Sequence, residues 1–198
     1  MGFNYFLEMQ KNFFEEQTFE NVDFTGAPFP KGDYEYCSFL NCDFSNADLS
    51  ESRFLECDFS GCNLSVAKLI KTSFQTTKFI NCKMLGLHFE NCNDFGLAVS
   101  FNNCILDHSS FYQKKLKKTI FKNSKLHETD FTESDLSISV FDNCDLLGTV
   151  FENTNLEKAD FRTAINYTIN PNLNRVKKAR FSLPAATGLL TSFSIEIE

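Results

Sequence analysis

The sequence predicts an all-β solenoid of four-sided coils, and three features of it make that prediction. A large apolar residue recurs every fifth position, a small residue stands two positions before nearly every one of these, and Phe and Leu alternate strictly along the second half of the chain. A period of five is neither the 3.6 of a helix nor the 2.0 of a long strand. It fits stacked coils in which each pentapeptide is a short extended side followed by a turn.

Residues 1–13 precede the first repeat and are assigned to an N-terminal cap. The repeats run over 14–163. Every fifth residue from Phe14 to Phe89 is large and apolar, and a second block runs from Phe101 to Phe161 two residues out of phase. Positions i and i−2 of an extended segment point the same way, so the large residue and the small one before it both face inward. Residues such as Asp43, Asp48, Asn63, Asp130 and Asp135 then point outward or make the corners. The alternation of Phe and Leu requires an even number of sides, because an even number stacks like on like. The motif Phe-x-Asn-Cys at Phe39 and Phe79, and again at Phe101 and Phe141, repeats at the same interval. Two sides would leave little interior, so volume selects four.

Seven cysteines occupy the small inward position, and Cys92 would do so if the first register ran one repeat further. Zinc sites want clustered pairs of the C-x₂₋₄-C kind. A row such as Cys42, Cys62 and Cys82 instead stacks thiols along one inner wall, where a free Cys acts as a small hydrophobe. The cysteines are expected to be packing residues, with no metal and no cofactor.

Between the blocks lies ENCNDFGLAVS, residues 90–100, which holds the two extra residues and must bulge or kink. Glu90, Asp94 and Phe95 in it are the candidate contacts to a partner, although Phe95 could equally tuck into the core. Lys114 is a second anomaly, a lysine at a small inward position, and a bulge or displaced side is expected there because an unpaired buried ammonium is unfavourable. Residues 164–198 form a C-terminal cap: Ser182 as N-cap, Leu183, Ala186, Leu190 and Phe193 at helical spacing. Phe193, Ile195 and Ile197 then alternate as a half-buried strand. This region holds more apolar surface than a cap alone requires.

No window of the chain is apolar enough to cross a bilayer as a helix, and the N-terminus lacks the pattern of a signal peptide. The expected location is the cytoplasm, where thiols stay reduced. The net charge of −7 argues against wholesale contact with DNA phosphates or an anionic membrane. The chain is not expected to be an enzyme. Its three histidines, His88, His108 and His127, fall at outward or corner positions, and no nucleotide-binding loop is present.

The segments Ala47-Asp48-Leu49-Ser50, Cys57-Asp58-Phe59-Ser60-Gly61 and Ser134-Asp135-Leu136-Ser137 resemble the motif of the pentapeptide-repeat family. The resemblance implies a right-handed quadrilateral β-helix. The C-terminal segment, with Asn174-Arg175-Val176-Lys177-Lys178-Ala179-Arg180-Phe181 and Leu189-Leu190, is similar to the Qnr, MfpA and albicidin-resistance members, as is Phe79-Ile80-Asn81-Cys82-Lys83-Met84-Leu85-Gly86. That likeness implies an antibiotic-resistance protein that mimics DNA, binds DNA gyrase or another type II topoisomerase, and protects it from quinolones or albicidin or otherwise modulates it. It also implies a homodimer joined through Phe181, Leu183, Leu189, Leu190, Phe193, Ile195 and Ile197. No direct contact with nucleic acid and no membrane partner is expected. The chain lacks the longer loops of some relatives, which sets quinolone protection apart from topoisomerase binding.

Duplex DNA of about 36 Å carries roughly 21 phosphate charges, and the repeats span about that length at the inter-strand spacing. With −7 against that, mimicry would have to come from shape and a patterned face. A continuous acidic stripe would mark it; a patchwork would favour the alternative, a non-catalytic interaction scaffold with another protein partner. The lysines at 114, 115, 117, 118, 122 and 125 are read as a solvated face.

Overall fold

The pentapeptide pattern folds into a parallel solenoid whose coils close every twenty residues, as seen in a computed structural model that describes residues 12–193 and Ile195. Thirteen short strands follow in order: β1 (Asn12–Glu15), β2 (Thr18–Glu20), β3 (Gly32–Glu35), β4 (Ser38–Leu40), β5 (Arg53–Leu55), β6 (Asp58–Ser60), β7 (Ser73–Gln75), β8 (Thr77–Ile80), β9 (Val99–Asn102), β10 (Ile120–Lys122), β11 (Val140–Asp142), β12 (Asp160–Phe161) and β13 (Arg180–Phe181). They form two sheets on adjacent sides. Side 1 carries the four-stranded sheet β1-β3-β5-β7, and side 2 carries nine strands from β2 to β13. Sides 3 and 4 are laddered by isolated parallel bridges, such as Asp43 with Asn63 on side 3 and Ser110 with Asp130 on side 4. Four sides per coil, expected from volume, are thereby found.

Each large centre residue from Phe29 to Phe161 is buried, Phe14, Phe19 and Phe24 of the first coil are half-buried, and the aromatic ones stack on their counterparts one coil away. Phe39 and Phe59 lie 4.6 Å apart with rings 14° from parallel, and Phe121 and Phe141 lie 4.9 Å apart at 4°. Across the core the rings meet edge to face, as Phe121 does with Phe131 at 79°. Offset stacks and T-shaped contacts are the arrangements the ring quadrupole favours. Each buried ring also contributes about 2–3 kcal/mol by burial alone.

The small inward residues have a second duty. Their side chains donate to the carbonyl of a centre residue in the preceding coil: Thr72 Oγ1 to Leu49 O at 2.9 Å, Ser139 Oγ to Leu116 O at 2.8 Å, Cys62 Sγ to Phe39 O at 3.3 Å. Ser, Thr and Cys are selected because they are small and carry a donor for a carbonyl that points into the core. The corner residue two after each centre adopts φ between about +50° and +70° in most coils. Asn enters this left-handed region at the least penalty among non-glycine residues. This explains the Asn of the Phe-x-Asn-Cys motif. Asn21, Asn41, Asn81, Asn103, Asn123 and Asn143 form one corner column, and neighbours bond side chain to side chain, Asn103 Nδ2 to Asn81 Oδ1 at 2.7 Å. Gly61 completes the column, where a Cβ would stand 2.3 Å from Asn41 Oδ1.

At the C-terminus the chain turns into two short 3₁₀ segments, Pro184–Leu189 and Thr191–Phe193. Leu183, not Ser182, sits at the N-cap and no side chain caps the helix; Pro184 supplies the preset φ of a first helical residue instead. Phe193, expected to begin a strand, ends the second 3₁₀ segment. The expected N-terminal cap, apart from Asn12 and Phe13 in β1, lies outside the described residues, as do Ile197 and the rest of the alternating tail except Ile195. Among the described residues, no helix is long and apolar enough to cross a membrane.

Candidate partner-binding surface

The two extra residues fall on side 1, between Phe89 of side 4 and Phe101 of side 2. A single 3₁₀ turn, Phe89–Asn91, leads into the bulge, and Cys92 keeps its inward place, buried. The chain regains its register when Ala98 N bonds to Phe74 O at 3.0 Å and Val99 pairs with Thr77. Leu97, rather than Phe95, packs against the core. Phe95 stands at the tip with 80% of its surface exposed. Gln75 Nε2 bonds to its carbonyl at 3.4 Å, and Asn93 Oδ1 accepts from its N–H at 3.0 Å. Because side 1 is interrupted here, its sheet ends at β7 while that of side 2 continues.

Lys114 lies on the same side one coil later, and it resolves the second anomaly. It is only 5% exposed, its side is not displaced, and its N–H closes the corner to Phe111 O at 3.0 Å. Its ammonium reaches the preceding coil, donating to Cys92 O at 2.8 Å and to Asp94 Oδ1 at 2.5 Å. The bulge or displaced side expected at Lys114 is therefore not found, and the lysine does what the hydroxyls and thiols do elsewhere, on a longer arm. The Asp94 carboxylate closes the charge, so the ammonium is neither unpaired nor unbonded. Glu90 pairs with His88 Nδ1 at 2.7 Å at the foot of the bulge, half-buried.

Charge on the outer walls is mixed. Down side 3 the bridged column reads Asp23, Asp43, Asn63, Lys83, Ile105, Lys125, Asp145, Ile165. Ion pairs link neighbouring coils, Lys78 to Asp58 at 3.5 Å and Arg53 to both Asp33 and Glu35, and His127 Nε2 lies 2.9 Å from Asp145 Oδ2. Among the described residues no acidic stripe runs from the first coil to the last. The sign depends on position instead: residues 12–51 hold nine acidic side chains and one basic.

At the other end, the residues expected to join two copies divide. Phe181 stacks on Phe161 at 5.4 Å and, with Leu189, packs against the core. Leu183, Leu190, Phe193 and Ile195 are exposed, Leu183 by 89%. Leu147 and Ile165 also face solvent and line, with Pro184 and Ala185 of the cap, a cleft of about 590 Å³. Sequence reasoning passed over these two, although a large apolar residue at an outward repeat position was a usable signal. Gly188 lets the cap seat here: a Cβ would come within 2.1 Å of Tyr167 O and about 3.0 Å of its ring.

All eight cysteines are free and buried, and burial pushes the thiols of Cys57, Cys92 and Cys144 up to about 12. Thiols held that far from ionisation are poor nucleophiles and poor metal ligands. Among the described residues, no group of His, Cys, Asp or Glu could hold a metal ion.

A family model described as a pentapeptide repeat region matches residues 32–94 and 97–164, so its two matches part at the bulge. Among solved structures, a trypsin-treated variant of QnrB1, a plasmid-mediated fluoroquinolone resistance protein, is similar over 95% of this chain and 99% of its own, with a TM-score of 0.60 and 18% identity. Full-length QnrB1 is similar over 93% of this chain and 100% of its own, with a TM-score of 0.50 and 18% identity. No curated protein sequence matches the chain.

Proposed function

The chain belongs to the pentapeptide-repeat family, and from that premise we propose that it is a non-catalytic, cytoplasmic binding protein whose partner is a type II topoisomerase such as DNA gyrase. The reading is carried by the acidic N-terminal coils, where residues 12–51 hold nine acidic side chains to one basic. It is supported by the likeness in fold to a fluoroquinolone resistance protein. Mimicry of DNA is assigned to these first coils rather than to the whole rod. The bulge is the neighbouring contact, with Phe95 as its apolar anchor and Asp94 and Glu90 at its base. Aromatic residues, Phe included, are enriched at the cores of protein interfaces. Two copies are joined tail to tail through Leu183, Leu190, Phe193 and Ile195, with Leu147 and Ile165 extending the patch.

The experiment is DNA supercoiling by gyrase with rising amounts of this protein, with and without a quinolone or albicidin. Rescue in the drug's presence marks a resistance factor, and inhibition without rescue marks a competitor for the enzyme. In either case Phe95→Ala is expected to weaken the effect at least tenfold while leaving thermal stability unchanged. No effect of the protein at a large excess over gyrase overturns the topoisomerase reading. The patchwork of charge beyond the first coils favours a second reading, a scaffold for a different protein. That reading gains if supercoiling is untouched while Phe95→Ala alters capture of another partner.

A further inference from the structure

The fold sorts the lysines of the second block in a way that their order in the chain conceals. Lys114 leaves the surface altogether. Lys115 and Lys117 face outward on side 1, and Lys118 makes the corner between sides 1 and 2. Lys158 and Lys178 occupy the same corner two and three coils further on, each with φ of 60°. Lys177 lies beside Lys178 and backs its carbonyl onto the Lys158 N–H at 3.0 Å. These six exposed lysines share one edge of the rod, and none makes an ion pair among the described residues. The arginines nearby are engaged: Arg162 and Arg180 with Asp160 at 2.7 and 3.6 Å, and Arg175 with Glu157 at 2.8 Å. The same columns in the first block are acidic, with Glu15, Glu16, Asp33, Glu35 and Glu56 against the one basic residue Arg53, while in the second block Asp135 and Glu157 are the acids among the lysines. The edge therefore changes sign at the bulge.

We propose that the second-block edge formed by Lys115, Lys117, Lys118, Lys158, Lys177 and Lys178 binds the phosphate backbone of duplex DNA. From Lys118 to Lys178 the edge rises three coils, about 14 Å at the inter-strand spacing. Over that length one DNA strand presents roughly four phosphates. Lysine suits phosphate as a point charge, and contacts of this kind need no apolar centre. A protein partner would want a desolvated apolar core, and beside these lysines only Ile138 at the corner and Ile120 on side 2 are exposed large apolar residues. Single strands would want a stacking platform, and no exposed aromatic ring lies among these residues. The net charge of the chain conceals the edge because the acidic half outweighs it.

This inference stands apart from the topoisomerase reading, since its test uses only the chain and DNA. A labelled 20-base-pair duplex is titrated with the protein and followed by fluorescence anisotropy at several salt concentrations. Binding is expected at low salt, with log K falling against log salt at a slope of about −3 to −4, as for roughly four displaced counterions. The triple variant Lys118→Glu, Lys158→Glu, Lys178→Glu is expected to lose at least tenfold. Glu already occupies equivalent left-handed corners at Glu51, Glu56, Glu128 and Glu133, so the variant keeps the fold, and its melting curve checks this. A control, Lys68→Glu, Lys71→Glu, Lys83→Glu, changes the charge equally on other walls and is expected to bind as the parent does. Absence of binding at low salt, or an equal loss in the control, overturns the proposal. Competition by polyglutamate as effective as by DNA overturns it too, and assigns the edge to an acidic protein segment.

Discussion

The two blocks obey one repeat and solve its packing differently. In the first, after the opening coils with Phe24 and Phe44 on side 3 and Phe29 on side 4, rings run along adjacent sides: Tyr34, Phe54 and Phe74 on side 1 and Phe39, Phe59 and Phe79 on side 2. In the second they stand on opposite sides, Phe121 and Phe141 on side 2 against Phe111 and Phe131 on side 4, with Leu on the other two. The corner between sides 1 and 2 changes with this. After Leu116 and Leu136 it is closed by the N–H groups of Thr119 and Ser139, both at 3.1 Å from the leucine carbonyl. After Tyr34 and Phe54 that bond is absent, and Cys37 and Cys57 fill the corner, Cys57 Sγ donating to Tyr34 O at 3.3 Å. A ring alone does not open a corner, since Phe111 and Phe131 keep theirs closed to Lys114 and Ser134. All seven thiols at regular inward positions sit at open corners, whereas Thr72, Thr119, Thr129 and Thr149 sit at closed ones.

The largest expected effect tests what the blocks share. Phe59→Ala and Phe131→Ala each remove a ring stacked on both neighbours, and each is expected to lose about 3–5 kcal/mol. Urea unfolding measures both, and losses differing by more than about 2 kcal/mol would show that the stacks are not equivalent. Next is a substitution that imposes the first block's pattern on the second. Leu136→Phe puts a ring on side 1 above a closed corner and is expected to destabilise by about 1–3 kcal/mol through overpacking. A neutral result would mean that closed corners accept rings on side 1 as they do on side 4.

Lys114→Ala addresses the junction of the blocks. It leaves the Cys92 carbonyl without its donor and frees Asp94, at an expected loss of about 1–2 kcal/mol. Hydrogen exchange should quicken in residues 93–97 and hardly elsewhere; uniform quickening would mean that the junction carries global stability. The smallest effect is a pH dependence. The Arg162 side chain bonded to Asp160, and the Ser50 side chain bonded to Asp48, hold these carboxyls below their ordinary value. Their contribution is complete above the unfolded-chain value of about 3.9 and is lost as pH falls through the lower folded values. Melting temperature should therefore be flat from pH 7 to 5 and fall below 4, and Asp160→Asn should flatten that fall.

Much of the fold was legible because its period is written in side-chain size. A large residue every fifth position allows one stacking geometry, and four sides followed from the volume of the rings. The thiols read correctly as packing residues because their spacing is that of the coil. The bulge was legible as a register shift, but its anchor was not. Phe95 and Leu97 are both apolar, and only the return of Ala98 to Phe74 O decides which of them turns inward. The cap was read as helical from spacing, yet it starts one residue later, after Leu183, and forms two 3₁₀ segments.

By itself the sequence determined the coil, its core and its break, since those follow from residue size and chain direction over five positions. The tertiary structure alone decided which charges stand together. Stacking brings residues twenty apart to within one inter-strand spacing, so Lys118, Lys158 and Lys178 become one edge, while Lys114, next to Lys115 in the chain, ends in the core beside Asp94. Charge acts through space, and in a solenoid the nearest neighbours in space are a full coil apart in sequence.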